Sequence, residues 1–265
     1  MHFPLALATM ALFLATISAH MQLFFPAPFN ASNNPHRTST TADPYLEFPY
    51  NCCGNKDRWK HPCRGYQSLL FTPDGAPTAT WRAGSPANFT LWGPTPYGGN
   101  HYGGSCQIGF STDNGTTFHV ATSYEGNCPH RDKGIGPSGQ NFEFLVPNDL
   151  EPGIQLFAWI WYNRGQELNM NCAAVEIIVP PEEAPSIGYA RDITSVPFND
   201  RPLMFVADNG NDCETPHSTA ELKFPEPGPE VVIGDGVYPF ELPQGACGQK
   251  EMLAKQGYHV GEYEY

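Results

Sequence analysis

The apolar residues of this chain come in short runs, each closed by a turn signal, and that pattern fits strands far better than helices. Ser105 to Ser111 reads SCQIGFS, which puts Cys106, Ile108 and Phe110 on one face of an extended segment. Phe118 to Tyr124, Phe142 to Val146, Ile154 to Tyr162 and Ala173 to Val179 are further runs of this kind, with shorter ones at Trp81 and at Phe89 to Trp92. Asp113-Asn114-Gly115 and Glu151-Pro152-Gly153 separate them. The 265 residues include 27 Pro and 26 Gly, and 13% are aromatic. Only 15% are charged, against about 25% in an average soluble domain. Coiled coils and most helical bundles are thereby excluded, no helix longer than about two turns is expected, and no internal repeat is visible. The expectation is an all-β fold, an antiparallel β-sandwich with long loops.

Residues 1–19, MHFPLALATMALFLATISA, carry no Asp, Glu, Lys or Arg. The apolar run is too short to span a bilayer comfortably, and Ile17-Ser18-Ala19 offers a small-residue cleavage site. These features predict a signal peptide over 1–19 and a secreted, extracellular protein beginning at His20. Eight cysteines follow, at 52, 53, 63, 106, 128, 172, 213 and 247. An even count in an exported chain implies disulfides, and the absence of C-x-x-C pairs argues against a zinc ribbon. Asn30, Asn88 and Asn114 open N-x-S/T sequons, as in a glycoprotein.

Composition divides the rest near Pro180-Pro181. Residues 20–180 hold 12 acidic and 9 basic residues and all five Trp, whereas residues 181–265 hold 15 acidic and 5 basic residues. The first part is expected to be the sandwich domain. The second is expected to be an acidic, Pro/Gly-rich extension, partly packed on the sandwich and loose after Cys247. The net charge of −13 disfavours nucleic acid and anionic membranes, both of which need clustered Lys and Arg.

Removal of residues 1–19 would leave His20 with two donors on one residue, the α-amine and the ring Nδ1. Both can close a chelate ring on one metal, and the amine titrates near neutrality, at about 7.7–8.0. A second imidazole would complete a set of three nitrogens in a plane, which suits Cu(II) among divalent ions. His101 stands between glycines in GGNHYGGSC, where the backbone can turn tightly and approach a surface; an exposed loop histidine is the plain alternative. Phe157 to Cys172, FAWIWYNRGQELNMNC, runs a strand of aromatics into a polar turn and back. Glu167 and Asn169 alternate with Leu168 and Met170, so they share one face if extended. That face meets solvent or lies under a metal. The remaining histidines, His36, His61, His119, His130, His217 and His259, show no metal-ligand spacing and read as surface or core residues.

Together these residues resemble a chitin-active lytic polysaccharide monooxygenase, most like auxiliary activity family eleven. The matching pieces are His20-Met21 with Pro26-Ala27-Pro28-Phe29, His101 with GGSCQI (103–108), and Glu125-Gly126-Asn127-Cys128-Pro129. Trp159-Ile160-Trp161-Tyr162-Asn163-Arg164, Met170-Asn171-Cys172-Ala173, Met204-Phe205-Val206-Ala207 and FPEPGP (224–229) also match. The resemblance covers most of the chain from His20 to about residue 232. It implies an immunoglobulin-like sandwich and a copper ion held by the amine and Nδ1 of His20 and by His101. It further implies an insoluble polysaccharide, chitin foremost, lying across a flat face, an external electron donor, peroxide or oxygen as co-substrate, and a monomer. Glu167 would orient the oxygen species or a water beside the metal, and Asn163 and Arg164 would hold that strand. Asn169 stands where the family normally carries an axial tyrosine, a space that Tyr162, Tyr102 or Tyr124 would have to fill. By order and resemblance, Cys106 would pair with Cys128, Cys172 with Cys52 or Cys53, and Cys213 with Cys247.

Two other functions fit part of the pattern. Asn169 fits a non-catalytic copper-binding protein of the cell surface. Trp59, Trp92 and Tyr97 fit a metal-free carbohydrate-binding or wall-structural module. A hydrolase is disfavoured, since no pair of carboxylates stands out to flank a glycosidic bond.

Overall fold

The computed structural model describes residues 20–50, 52, 59–96, 98–179 and 196–248. The leader, Cys53, Tyr97, the division at Pro180-Pro181, His259 and the tail after Gly248 lie outside the described residues.

The strands are β1 (Gln22–Phe25), β2 (Ala79–Arg82), β3 (Pro86–Trp92), β4 (Ser105–Ser111), β5 (His119–Glu125), β6 (Asn141–Leu145), β7 (Gly153–Tyr162) and β8 (Leu168–Ile178). Five short strands follow from the extension: β9 (Cys213–Glu214), β10 (Glu221–Leu222), β11 (Val231–Ile233), β12 (Phe240–Glu241) and β13 (Gln244–Gly245). Two main sheets result, one ordered β1-β3-β6 and the other β11-β5-β4-β7-β8-β2. The small sheet and the centre of the large one are antiparallel, as expected of the sandwich. Both edges of the large sheet are parallel additions, β2 on β8 and β11 on β5. Among the described residues the only helical segments are 3-10 turns at Cys63–Leu69 and Phe198–Asp200. No helix there is long and apolar enough to cross a membrane.

The alternation of side chains sets two cores, one on each face of the large sheet. Ile108, Phe110, Phe157, Trp159, Trp161, Ala173, Val175 and Ile177 meet Leu23, Phe89 and Leu91 of the small sheet. Leu156, Ile160, Tyr162, Leu168, Met170 and Cys172, from the opposite face of β7 and β8, meet Phe205, Leu222 and Phe224 of the extension. Burial on both faces explains why β7 reads as an almost continuous apolar run. Each fully buried aromatic or Leu side chain contributes about 1.5–3 kcal/mol.

Two disulfides join the expected partners, Cys106 with Cys128 and Cys213 with Cys247. Cys172 bonds Cys63, in place of Cys52 or Cys53, across 109 residues of sequence. The reason is the side of β8 on which Cys172 stands. It shares its face with Leu168 and Met170, and the Cys63–Leu69 turn covers that face, with the Cys63 N–H 3.5 Å from the Met170 sulfur.

Candidate metal centre

His20 lies two residues before β1, where it forms an isolated parallel bridge with Gly98, and its carbonyl accepts a hydrogen bond from the Gly99 N–H at 3.1 Å. His101 follows two residues later on the same loop. A Cβ at Gly98 would collide with the backbone of Gly93, so this approach needs glycine. The loop then runs through four residues in the left-handed region, His101 (φ 47°), Tyr102 (56°), Gly103 (104°) and Gly104 (118°), before β4 begins. His101 and Tyr102 are strained in that conformation.

The His101 ring rests against the turn between β7 and β8, where a Cβ at Gly165 would stand 3.0 Å from its Cε1. Burial, and then the charge of Arg164, lower the pKa of His101. Both effects favour the neutral ring, the form that binds metals. The His20 ring packs on Phe48 with centroids 4.1 Å apart.

Glu167 belongs to the turn and precedes β8, where its Oε2 accepts from Asn163 Nδ2 at 2.6 Å. Asn163 Oδ1 also accepts the Gly165 N–H at 2.8 Å, so one amide ties the turn that backs His101. Asn169 sits on β8 opposite Trp161. It shares its face with Asn171, whose Oδ1 accepts the Leu23 N–H of β1 at 2.8 Å. The Tyr50 N–H donates to the Leu168 carbonyl at 2.7 Å, and Phe48, two residues before Tyr50, packs on His20, so the start of β8 with Asn169 lies toward His20. Asn169 is 0% exposed, and neither its Oδ1 nor its Nδ2 has a hydrogen-bond partner. Such an amide calls for an ion or a water.

The donors at this end are two imidazoles, the partnerless Asn169 amide and, in a chain starting at His20, the α-amine. Among the described residues no three His, Cys, Asp or Glu side chains converge. An ion here would need a donor outside those side chains; the α-amine of a chain starting at His20 would be one, and a set rich in nitrogen suits copper. The phenols considered for the axial space turn elsewhere. Tyr162 donates its hydroxyl to the Phe205 carbonyl and Tyr124 to that of Glu143, while Tyr102 is exposed. Arg164 faces the extension, with its guanidinium 3.4 Å from the Tyr238 ring centroid.

The extension also reaches this end. Glu221 accepts from the Gly104 and Asn127 N–H groups, and His217 forms an isolated bridge with Gly165. Sequence reasoning missed Phe48, Arg131, His217 and Glu221. No spacing could have marked them, since each reaches the centre from a remote segment.

No protein-family model matches the sequence. It is 36% identical over 214 residues to "AA11 family lytic polysaccharide monooxygenase A" of Aspergillus fumigatus, covering 80% of this chain and 84% of that protein. It is 29% identical to the "AA11 family lytic polysaccharide monooxygenase B" of the same species, covering 84% of this chain and 50% of that protein. It is 34% identical to an AA11 family lytic polysaccharide monooxygenase of Aspergillus oryzae, covering 48% of this chain and 32% of that protein. The chain thus spans half or less of these last two relatives. Among solved structures, "a Cellulose-active Polysaccharide Monooxygenase from M. thermophila" superposes with a TM-score of 0.28 at 14% identity, over 41% of this chain and 57% of that one. The extended catalytic domain of H. jecorina LPMO9A gives a TM-score of 0.28 at 14% identity, over 63% and 75%. On the similarity to the first relative, which extends over most of both proteins, the chain belongs to the AA11 family of lytic polysaccharide monooxygenases.

Proposed function

We propose that this protein is a secreted, copper-dependent monooxygenase that cleaves chitin or a related β-linked polysaccharide oxidatively. The observation that carries the reading is the backbone clamp between His20 and Gly99, which sets His20 beside the loop of His101. The family name of the relatives supports the reaction class.

Residues 1–19 would be removed as a signal peptide, freeing the His20 amine. The amine and Nδ1 of His20 and the ring of His101 would hold the copper. Asn169 Oδ1, buried without a partner, would be a further oxygen donor at this end. The bound copper supplies the one-electron chemistry that, with an external electron donor and peroxide or oxygen, activates an oxidant against a glycosidic carbon. Glu167, fixed by Asn163, would accept a hydrogen bond from the oxygen species or a water beside the centre. Phe48 would shield the His20 ring from solvent.

The test is copper-dependent release of oxidised oligosaccharides from chitin by protein starting at His20, read by mass spectrometry, with the His101→Ala variant alongside. Release that His101→Ala abolishes is expected. Release unaffected by that change would overturn the metal assignment. Tight copper binding without turnover on any polysaccharide would leave a non-catalytic copper protein.

A further inference from the structure

We infer that Glu221, from the C-terminal extension, is a positioning residue for His101, so that the extension is a working part of the metal centre. The inference rests on the proposed copper site and adds a residue from outside the sandwich.

The strained His101-Tyr102-Gly103-Gly104 run persists only if its surroundings over-determine it. Glu221 is at the centre of those surroundings. Its side chain is fully buried, and its Oε1 accepts the Gly104 N–H at 2.8 Å and the Asn127 N–H at 3.1 Å. Arg131 completes the arrangement. Its Nη2 donates to Glu221 Oε1 at 3.0 Å and its Nη1 to the Tyr102 carbonyl, while Asp235 holds its outer edge. One buried carboxylate thus binds the backbone directly at Gly104, three residues after His101, and through Arg131 it binds the carbonyl of Tyr102, the residue next to His101. A carboxylate in a nest of backbone N–H groups is well held even when buried, because each donor compensates lost hydration. The fit leaves no room, since a Cβ at Gly103 would stand 2.6 Å from Glu221 Oε1.

The same extension braces the surface behind the ring. The Ser218 N–H donates to the Arg164 carbonyl at 2.7 Å, and Gln166 Nε2 donates to the Thr215 carbonyl at 2.7 Å. These bonds flank Gly165, against which the His101 ring rests. The extension therefore fixes both the loop that carries the imidazole and the turn that backs it.

The experiment uses the full processed protein and its Glu221→Ala and Glu221→Gln variants. Three quantities are measured: Cu(II) affinity by calorimetry, the electron paramagnetic resonance spectrum of the copper-loaded protein, and amide hydrogen exchange of residues 98–104 without metal. Glu221→Ala is expected to weaken copper by about 10-fold or more, as loss of groups supporting metal ligands does. It should also change the copper hyperfine splitting and raise exchange at 98–104. Glu221→Gln, which keeps an oxygen for the two N–H groups, should recover part of both effects; if the alanine variant does not fold, Glu221→Gln decides alone, by a spectrum shifted from that of the parent. Unchanged affinity and spectrum would overturn the inference. So would a lower melting temperature with the parent spectrum, which marks a merely structural residue. Failure of the parent protein to bind copper would refute the underlying reading instead, and the exchange data would then decide whether Glu221 orders the loop.

Discussion

Asn169 is the residue at which this centre departs furthest from what its surroundings dictate. A fully buried amide with neither of its polar atoms paired leaves a desolvation penalty of about 1–3 kcal/mol uncompensated. Leucine has a similar shape and needs no partner. Asn169→Leu is therefore expected to raise the melting temperature of the metal-free protein, by about 2–12 °C at about 2–4 °C per kcal/mol for a chain of this size. Differential scanning calorimetry after chelation checks this; a lower melting temperature would mean that a bound water already pairs the amide. The residue itself was legible in the sequence, from its alternation with Leu168 and Met170. Its isolation was not, because that depends on Trp161 beside it and on β1 across the core. His101 was marked by its flanking glycines for a local reason, the tight backbone path they permit. Glu221 carried no mark, since an acidic residue in an acidic extension looks like a solvated one until the fold buries it.

Among the elements, the structure adds most at the Cys63–Leu69 turn. It lies over β8, pinned by the Cys63–Cys172 bond, and the half-buried His61 just before it packs on the buried Tyr50. The buried His61 Nε2 has no hydrogen-bond partner, and burial pushes the pKa down to about 4 from the usual 6.5. The unfolded chain therefore binds a proton that the folded one refuses between those two values. Stability is unaffected by this group above pH 6.5, and falls as the pH drops from 6.5 toward 4. The loss is up to about 3 kcal/mol, at about 1.4 kcal/mol for each pH unit. Urea unfolding at pH 7 and pH 4.5 should show this fall in the parent and a shallower one in His61→Phe. Equal falls would show that His61 does not carry the acid sensitivity. The central strands were legible because their alternation is local. The Cys63–Cys172 pairing was not, because it depends on which face of β8 the turn covers. The strand at Trp81 was legible, but its parallel place beside β8 was hidden, as was β11 on β5, since parallel pairing leaves no hairpin signal.

At the scale of the whole molecule, the extension and the sandwich share buried surface to a degree that composition did not suggest. A change in charge and in Trp content marked where the chain changes character. It carried no information about Phe205, Leu222 and Phe224 filling the second core, or about β11 closing an edge of the large sheet. Two distant parts of the chain thus bear on the proposed site, His20 from just before β1 and Glu221 from the extension, with His101 between them. The central claim is that this convergence makes a copper centre once His20 is the first residue. The most direct test is a copper titration followed by electron paramagnetic resonance, on protein beginning at His20 and on the same protein with one residue added before it. One ion per chain, with nitrogen hyperfine structure that the added residue abolishes, is the expected result. Binding that is absent from the first protein, or equal in both, would contradict the account.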